Sequence, residues 1–248
     1  LHSFPTRRSS DLDGVTSDGY NAQWDCITVQ GDCSYIWIDH CTFEDTMSLA
    51  HVYTGGTGGT SEKWQTYDGL LDIKGGGQYI TVSYCKFKNH DKTSLIGNTD
   101  GTETYTKTGE SSNTTVTSGY RKITYHHNYF YNCGQRLPMV RYTTMHLYNN
   151  LYAASSPVYT QQYAVGVRTG SIIYSENNYF DSGILYAFSG DSDSSKVGEF
   201  YSDGDSAASG VTLYNSSKGI SNSNGKTLFS SAVKAYNYTP ETAATVQA

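Results

Sequence analysis

The sequence predicts an all-β chain wound as a parallel β-helix, and three observations carry that reading. A short strand-like pattern recurs: YIWIDHCTF (35–43), YITVSYCKF (79–87), KITYHHNYF (122–130), MHLYNNLY (145–152) and IIYSENNYF (172–180). One column of it is always Asn or Cys, at Cys41, Cys85, Asn128, Asn150 and Asn178, spaced by 44, 43, 22 and 28 residues. Two residues later the column is aromatic, at Phe43, Phe87, Phe130, Tyr152 and Phe180. A base period of about 22 with insertions marks a stacked solenoid.

A second strand precedes each run. In order these are CITV (26–29), LLDIKGG (70–76), TSLIGN (93–98), PMVRY (138–142) and AVGVR (164–168). Each coil is therefore expected to hold two short strands. Strands this short cannot fold alone, but stacked in parallel at about 4.8 Å they build a continuous interior. Asn amides stacked at a buried turn bond one another and the backbone, so the Asn/Cys and Phe/Tyr columns read as structural. His40 and His127 share a repeat column, which also favours packing. His126 and His127 are neighbours, so on a strand they are expected to face opposite ways and not to chelate together.

Between the coils, residues 54–61, 99–119 and 189–210 are rich in Gly, Ser, Thr and Asn and read as flexible surface loops. Residues 1–12, LHSFPTRRSSDL, are basic and patternless and read as a non-native leader. Residues 13–248 read as one domain whose coils are clearest over 20–180. Residues 181–248 are expected to be C-terminal loops with an incomplete end. Coil stacks need capped ends, so the chain reads as truncated at both.

Composition sets limits on function. The 248 residues carry a net charge of −6, only 16 % charged residues, 23 Tyr and 25 Gly. There is no global basic field for nucleic acid. No apolar run approaches the ~18 residues of a membrane span. Five cysteines without a CxxC pair argue against structural zinc.

The charges gather on the first-strand series. Asp25 precedes the first strand, Asp68 and Asp72 accompany the second, and Lys74 follows. Lys92 precedes the third, Arg136 and Arg141 flank the fourth, and Arg168 ends the fifth. In stacked coils these residues share one face, acidic at one end and basic at the other. An oxygen-only Asp cluster suits a hard cation, most simply Ca²⁺. The alternative is that these carboxylates pair with Lys74 or Lys92. Arg136 beside a Pro-fixed backbone, with Arg141 five residues on, suits the holding of carboxylates. The alternative there is structural salt bridges. Calcium beside a line of cations asks for a polymer with repeated carboxylates, and polygalacturonate fits. An arginine is an awkward base, because free guanidinium keeps its proton to about pH 12. Neighbouring cations, here Lys92, Arg141 and Ca²⁺, would favour the neutral form.

WIDHCTF, DGLLDIKGG, YITVSYCKFKNHDKTSLIG, RKITYHHNYF and RLPMVR…HLYNNLY together resemble the pectate lyase and pectin lyase superfamily, over residues 20–180. The resemblance implies a right-handed parallel β-helix and β-elimination on α-1,4-polygalacturonate, giving 4,5-unsaturated oligosaccharides. It implies Asp25, Asp68 and Asp72 as calcium ligands, Arg136 as Brønsted base, and Lys92 and Arg141 as substrate ligands. Lys74 and Arg168 are added as further substrate contacts on the same face. Family members often have Glu where Asp68 stands, and some have a further Asp where Gln23 stands. The family's helix begins several coils before Asp25. The acidic set and Lys92 favour the pectate-cleaving type over lyases of methylated pectin. A secreted monomer, without nucleic-acid or membrane partners, is the corresponding expectation.

Two other classes remain open on the sequence. A glycoside hydrolase on the same architecture needs paired carboxylic acids at hydrolytic spacing. A non-catalytic carbohydrate-binding β-helix would bind pectate without turnover.

Overall fold

A computed structural model describes residues 25–44, 69–155, 161–222 and 238–247. The expected leader (1–12), the Gly-rich stretch 54–61, Gln23 and Asp68 lie outside the described residues.

The chain winds in coils of three strands, not two. The first coil holds β1 (Ile27–Val29), β2 (Ser34–Asp39) and β3 (Thr42–Glu44); the second holds β4 (Leu71–Ile73), β5 (Gln78–Ser83) and β6 (Lys86–Lys88). The third starts with β7 (Leu95–Ile96), leaves through the pair β8 (Glu103–Thr106) and β9 (Asn113–Val116), and returns as β10 (Arg121–His126) and β11 (Tyr129–Tyr131). Then come β12 (Met139–Val140), β13 (Thr143–Tyr148) and β14 (Leu151–Ala153), followed by β15 (Val165–Val167), β16 (Ile172–Glu176) and β17 (Tyr179–Phe180). A further coil follows where loops were expected: β18 (Tyr186–Ser189), β19 (Glu199–Asp203) and β20 (Ser206–Ala207), with β21 (Thr212–Asn215) beyond it. A short helix, α1 (Ala243–Gln247), ends the described chain. No helix of the described residues is long and apolar enough to cross a membrane.

Like strands of successive coils pair in parallel. They form a seven-stranded sheet (β1-β4-β7-β12-β15-β18-β21) and two six-stranded sheets (β2-β5-β10-β13-β16-β19 and β3-β6-β11-β14-β17-β20). This is a parallel β-helix.

The extra strand arises because each recurring run bends in its middle. His40, Tyr84, His127, Asn149 and Asn177 take φ of 53°, 50°, 55°, 52° and 52°. That left-handed residue turns the chain between the second and third sheets and aims the next side chain inward. The inward residues are the Asn/Cys column. Asn128 Oδ1 accepts from Cys85 N (2.9 Å), Asn150 Oδ1 from Asn128 N (3.0 Å), and Asn178 Oδ1 from Asn150 N (2.8 Å). Each amide thus satisfies the backbone donor that the bend of the preceding coil frees. Phe43, Phe87, Phe130, Tyr152 and Phe180 stack behind it at centroid spacings of 4.8, 4.8, 5.0 and 4.5 Å. These rings lie in the main core cluster.

The bend also corrects the histidine expectation. His127 sits at the left-handed position, so strand alternation fails there and its Nδ1 lies 2.8 Å from Nδ1 of His126. His40 and His127 both stack on Tyr84.

The ladder ends on a carboxylate. Asp205 Oδ1 accepts from Asn178 N (2.8 Å) and Nδ2 (2.9 Å), and Oδ2 accepts from Ser202 Oγ (2.7 Å). Desolvation pushes the Asp205 carboxyl up to about 6. Its unfolded value is about 3.9, so the folded state binds a proton that the unfolded state has released. Stability therefore falls as pH rises from about 4 through about 6, and the loss persists above that. Asp205→Asn keeps an acceptor for Asn178 without the charge. It is expected to gain about 1–2 kcal/mol near neutral pH and to flatten this slope in urea denaturation.

Candidate active site

The first sheet positions the charged residues. Its register pairs Thr28 with Asp72, Ile73 with Ile96, Val140 with Ile96, and Val140 with Val167. Leu71 and Ile73 of β4 face the core, so Asp72 between them points away from it. One residue past the paired core positions, Lys74, Gly97, Arg141 and Arg168 form a row across successive coils.

At the acidic end, Asp25 and Asp72 are both buried and share one cation. Lys74 Nζ lies 3.1 Å from Asp25 Oδ2 and 3.1 Å from Asp72 Oδ2. Asp25 also accepts from Gly69 N (2.9 Å) and Thr28 Oγ1 (2.6 Å), and Asp72 from Leu95 N (3.0 Å). A Cβ at Gly69 would stand 2.4 Å from Asp72 Oδ1, so only glycine leaves this carboxylate its place. Burial first, and then the Asp25 charge, push the Asp72 carboxyl up to about 7. The pairing with Lys74 that the sequence left open for these carboxylates is thus realised, and two buried carboxylates so placed are also oxygen donors that could serve a hard cation. Among the described residues no group of three His, Cys, Asp or Glu converges. The third expected ligand, Asp68, lies outside them.

In the middle of the sheet, the segment before β12 lies against the segment before β7. Lys92 pairs with Gln135, the residue ahead of Arg136, and Ser94 N donates to Arg136 O (2.8 Å). Arg136 has φ 59°, and its Nε is buried without an acceptor. Among the described residues its guanidinium makes no ion pair. Asp91, unnoticed in the sequence, is buried beside this segment and accepts from Gln135 Nε2 at 3.4 Å. Burial raises its carboxyl, against the opposing pull of His90, Lys92 and Arg136.

At the basic end the arginines are partnered. Arg141 donates from Nε to Asp100 Oδ1 (2.6 Å), from Nη2 to Asp100 Oδ2 (3.3 Å) and from Nη1 to Gly97 O (3.2 Å). Arg168 lies over the Tyr163 ring at 5.5 Å, donates from Nη1 to Ser189 O (3.3 Å) and Gly190 O, and stands 3.8 Å from Asp191. Salt bridging, left open for Arg136 and Arg141 by the sequence, is thus realised at Arg141 but, among the described residues, not at Arg136. Asp100 and Tyr163 gave no sequence signal, since neither falls on a repeat column.

Comparison with known proteins places the chain's family and agrees with its fold. A family model described as "Pectate lyase" matches residues 9–248. Pectate lyase E of Dickeya chrysanthemi is 35 % identical over 202 residues, which are 79 % of this chain and 46 % of that protein. A Bacillus subtilis pectate lyase is 40 % identical over 171 residues, 67 % of this chain and 36 % of that protein. Among solved structures, a thermostable pectate lyase aligns with a TM-score of 0.64 at 29 % identity, covering 94 % of this chain and 54 % of the other. A Bacillus pectate lyase in complex with trigalacturonate aligns with a TM-score of 0.63 at 27 % identity, covering 90 % and 60 %. The chain spans less than half the length of the curated relatives it matches.

Proposed function

The chain belongs to the pectate lyase family, and from that premise we propose that it cleaves α-1,4-linked polygalacturonate by β-elimination, with Ca²⁺ as cofactor. One observation carries the residue assignment. Arg136 Nε is buried without an acceptor and no carboxylate bonds its guanidinium among the described residues, whereas Lys74, Arg141 and Arg168 are each paired with carboxylates.

Lys92 holds the carboxylate of the reacting uronate, and the remaining N–H groups of Arg141 reach the carboxyl group of a neighbouring sugar, with Lys74 and Arg168 as flanking contacts. Arg136, in its neutral form, takes the proton from C5. The C5–H electrons become the C4=C5 double bond, the C4–O bond breaks, and the leaving oxygen takes a proton from water. Arg136 is left protonated and returns its proton to solvent. A calcium ion held by Asp25, Asp72 and Asp68 would withdraw charge from the uronate carboxylate and so acidify the C5 proton. The substrate is a polymer too large to cross a membrane, so this reading places the enzyme outside the cell, working as a monomer.

Mass spectrometry of the products tests the reaction type. Each elimination yields one unsaturated fragment lighter by one water than its hydrolytic counterpart, and finding no such fragment would replace this reading with a hydrolase.

The metal has its own test. Ca²⁺ selects the ionised form of Asp72, whose folded value of about 7 lies above the usual carboxylate range. Without metal, the stability that this group contributes is present at low pH and lost as pH rises through about 7. Added Ca²⁺ is therefore expected to stabilise the chain more at alkaline than at mildly acidic pH. At about 100 times its dissociation constant it contributes about 2.7 kcal/mol. Thermal melts should show this gain in the native chain and not in Asp72→Asn.

A further inference from the structure

The segment leaving β7 brings a carboxylate into the row of cations. Asp100 accepts from Nε and Nη2 of Arg141, and from Thr169 Oγ1 at 3.4 Å. Its backbone is fixed by the Tyr142 hydroxyl, which donates to Asp100 O (3.2 Å) and Gly101 O. Gly97 makes room for the contact. It has φ 79°, and a Cβ there would stand 2.8 Å from Arg141 Cβ. The β8–β9 pair that follows is anchored by Glu103, which accepts from Gly75 N (2.8 Å) and pairs with the fully buried Arg121 (2.5 Å). The Asp100 carboxyl is held below its ordinary range, first by its Arg141 bond. It is thus a resident anion, built in by glycine space and a docked strand pair.

This bears on which sugars the row accepts. A guanidinium has five N–H donors. Two serve Asp100 and one serves Gly97 O, which leaves donors that an ester carbonyl can accept as readily as a carboxylate can. The charge that would favour the ionised uronate is already compensated. We infer that Asp100 sets the charge of this part of the surface, so that the sugar lying over Arg141 is recognised by hydrogen bonds and accepted methyl-esterified as well as ionised. The inference rests on the proposed polygalacturonate reading and names its substrate class more closely: partly esterified pectate.

The test is affinity electrophoresis of the full chain in gels holding either de-esterified polygalacturonate or highly methyl-esterified pectin. The ratio of the two dissociation constants is the readout. Asp100→Asn should shift that ratio about tenfold toward the de-esterified polymer, the size expected for one uncompensated charge in a partly solvated site. Tyr142→Phe loosens the same segment without changing charge and should leave the ratio unmoved. An unchanged ratio in a folded Asp100→Asn, or an equal shift in Tyr142→Phe, would overturn the inference. Should Asp100→Asn not fold, the salt dependence of the native chain decides. Similar salt slopes on both polymers support the inference, and a much steeper slope on the de-esterified one overturns it. Retardation requires no turnover, so absence of unsaturated product would sink the reaction assignment and leave this result readable.

Discussion

Arg136→Ala is expected to lower the rate of unsaturated product formation by about 10³-fold while retaining most of the affinity for polygalacturonate. A positioned base contributes about 10²–10⁴ in rate, and a group that acts only in the transition state lowers turnover without weakening ground-state binding. Arg136 suits that role by what surrounds it. Arg141 and Arg168 are held by Asp100 and Asp191, and Lys74 by Asp25 and Asp72, whereas the Arg136 Nε is buried with no acceptor. Arg136→Lys keeps a nitrogen base on a shorter, non-planar group and should also lose at least about 10²-fold, since fixed geometry is what the site provides. Initial rates together with affinity electrophoresis separate the two effects. A parallel loss of binding and rate would reassign Arg136 to substrate holding.

Arg121→Met is expected to cost about 3–5 kcal/mol of folding stability, because it leaves Glu103 buried without its counter-charge. Arg121 is fully buried, donates from Nη2 to Gly75 O (2.8 Å) and from Nη1 to Arg141 O (3.1 Å), and pairs with Glu103 at 2.5 Å. It therefore ties the β8–β9 pair to both the second coil and the backbone of Arg141. The double variant Arg121→Met/Glu103→Leu should recover most of the loss, since neither charge then remains buried alone. Urea denaturation of the single and double variants checks this. A single-variant loss below about 1 kcal/mol would mean that the strand pair is not held by this contact.

What the sequence revealed follows from what stacking repeats. Asn128, Asn150 and Asn178 each do the same job one coil apart, and so do Phe87 and Phe130; a job done every coil leaves a period. The bends were hidden because His40, Tyr84 and His127 are not turn-type residues. Their left-handed φ is stabilised by the ladder beside them, and a two-strand coil was the natural expectation. The coil β18–β20 was missed because its columns read Asp205 and Ala207 where Asn and Phe stand elsewhere. The β8–β9 pair looked like a flexible loop by composition, yet the bonds of Glu103 to Arg121 and Gly75 dock it through contacts that have no period. Asp25, Asp72, Lys74, Lys92, Arg136, Arg141 and Arg168 stand out in the sequence as one charged series because they accompany repeating strands. Asp100 does not, because it sits on an excursion and acts on one residue only.

The most direct test of the central claim is ultraviolet absorbance of polygalacturonate incubated with the chain, with Ca²⁺ and with excess chelator. A steady rise from the unsaturated product, abolished by chelator and restored by Ca²⁺, is the expected result. No rise from a folded sample in the presence of Ca²⁺ would contradict it.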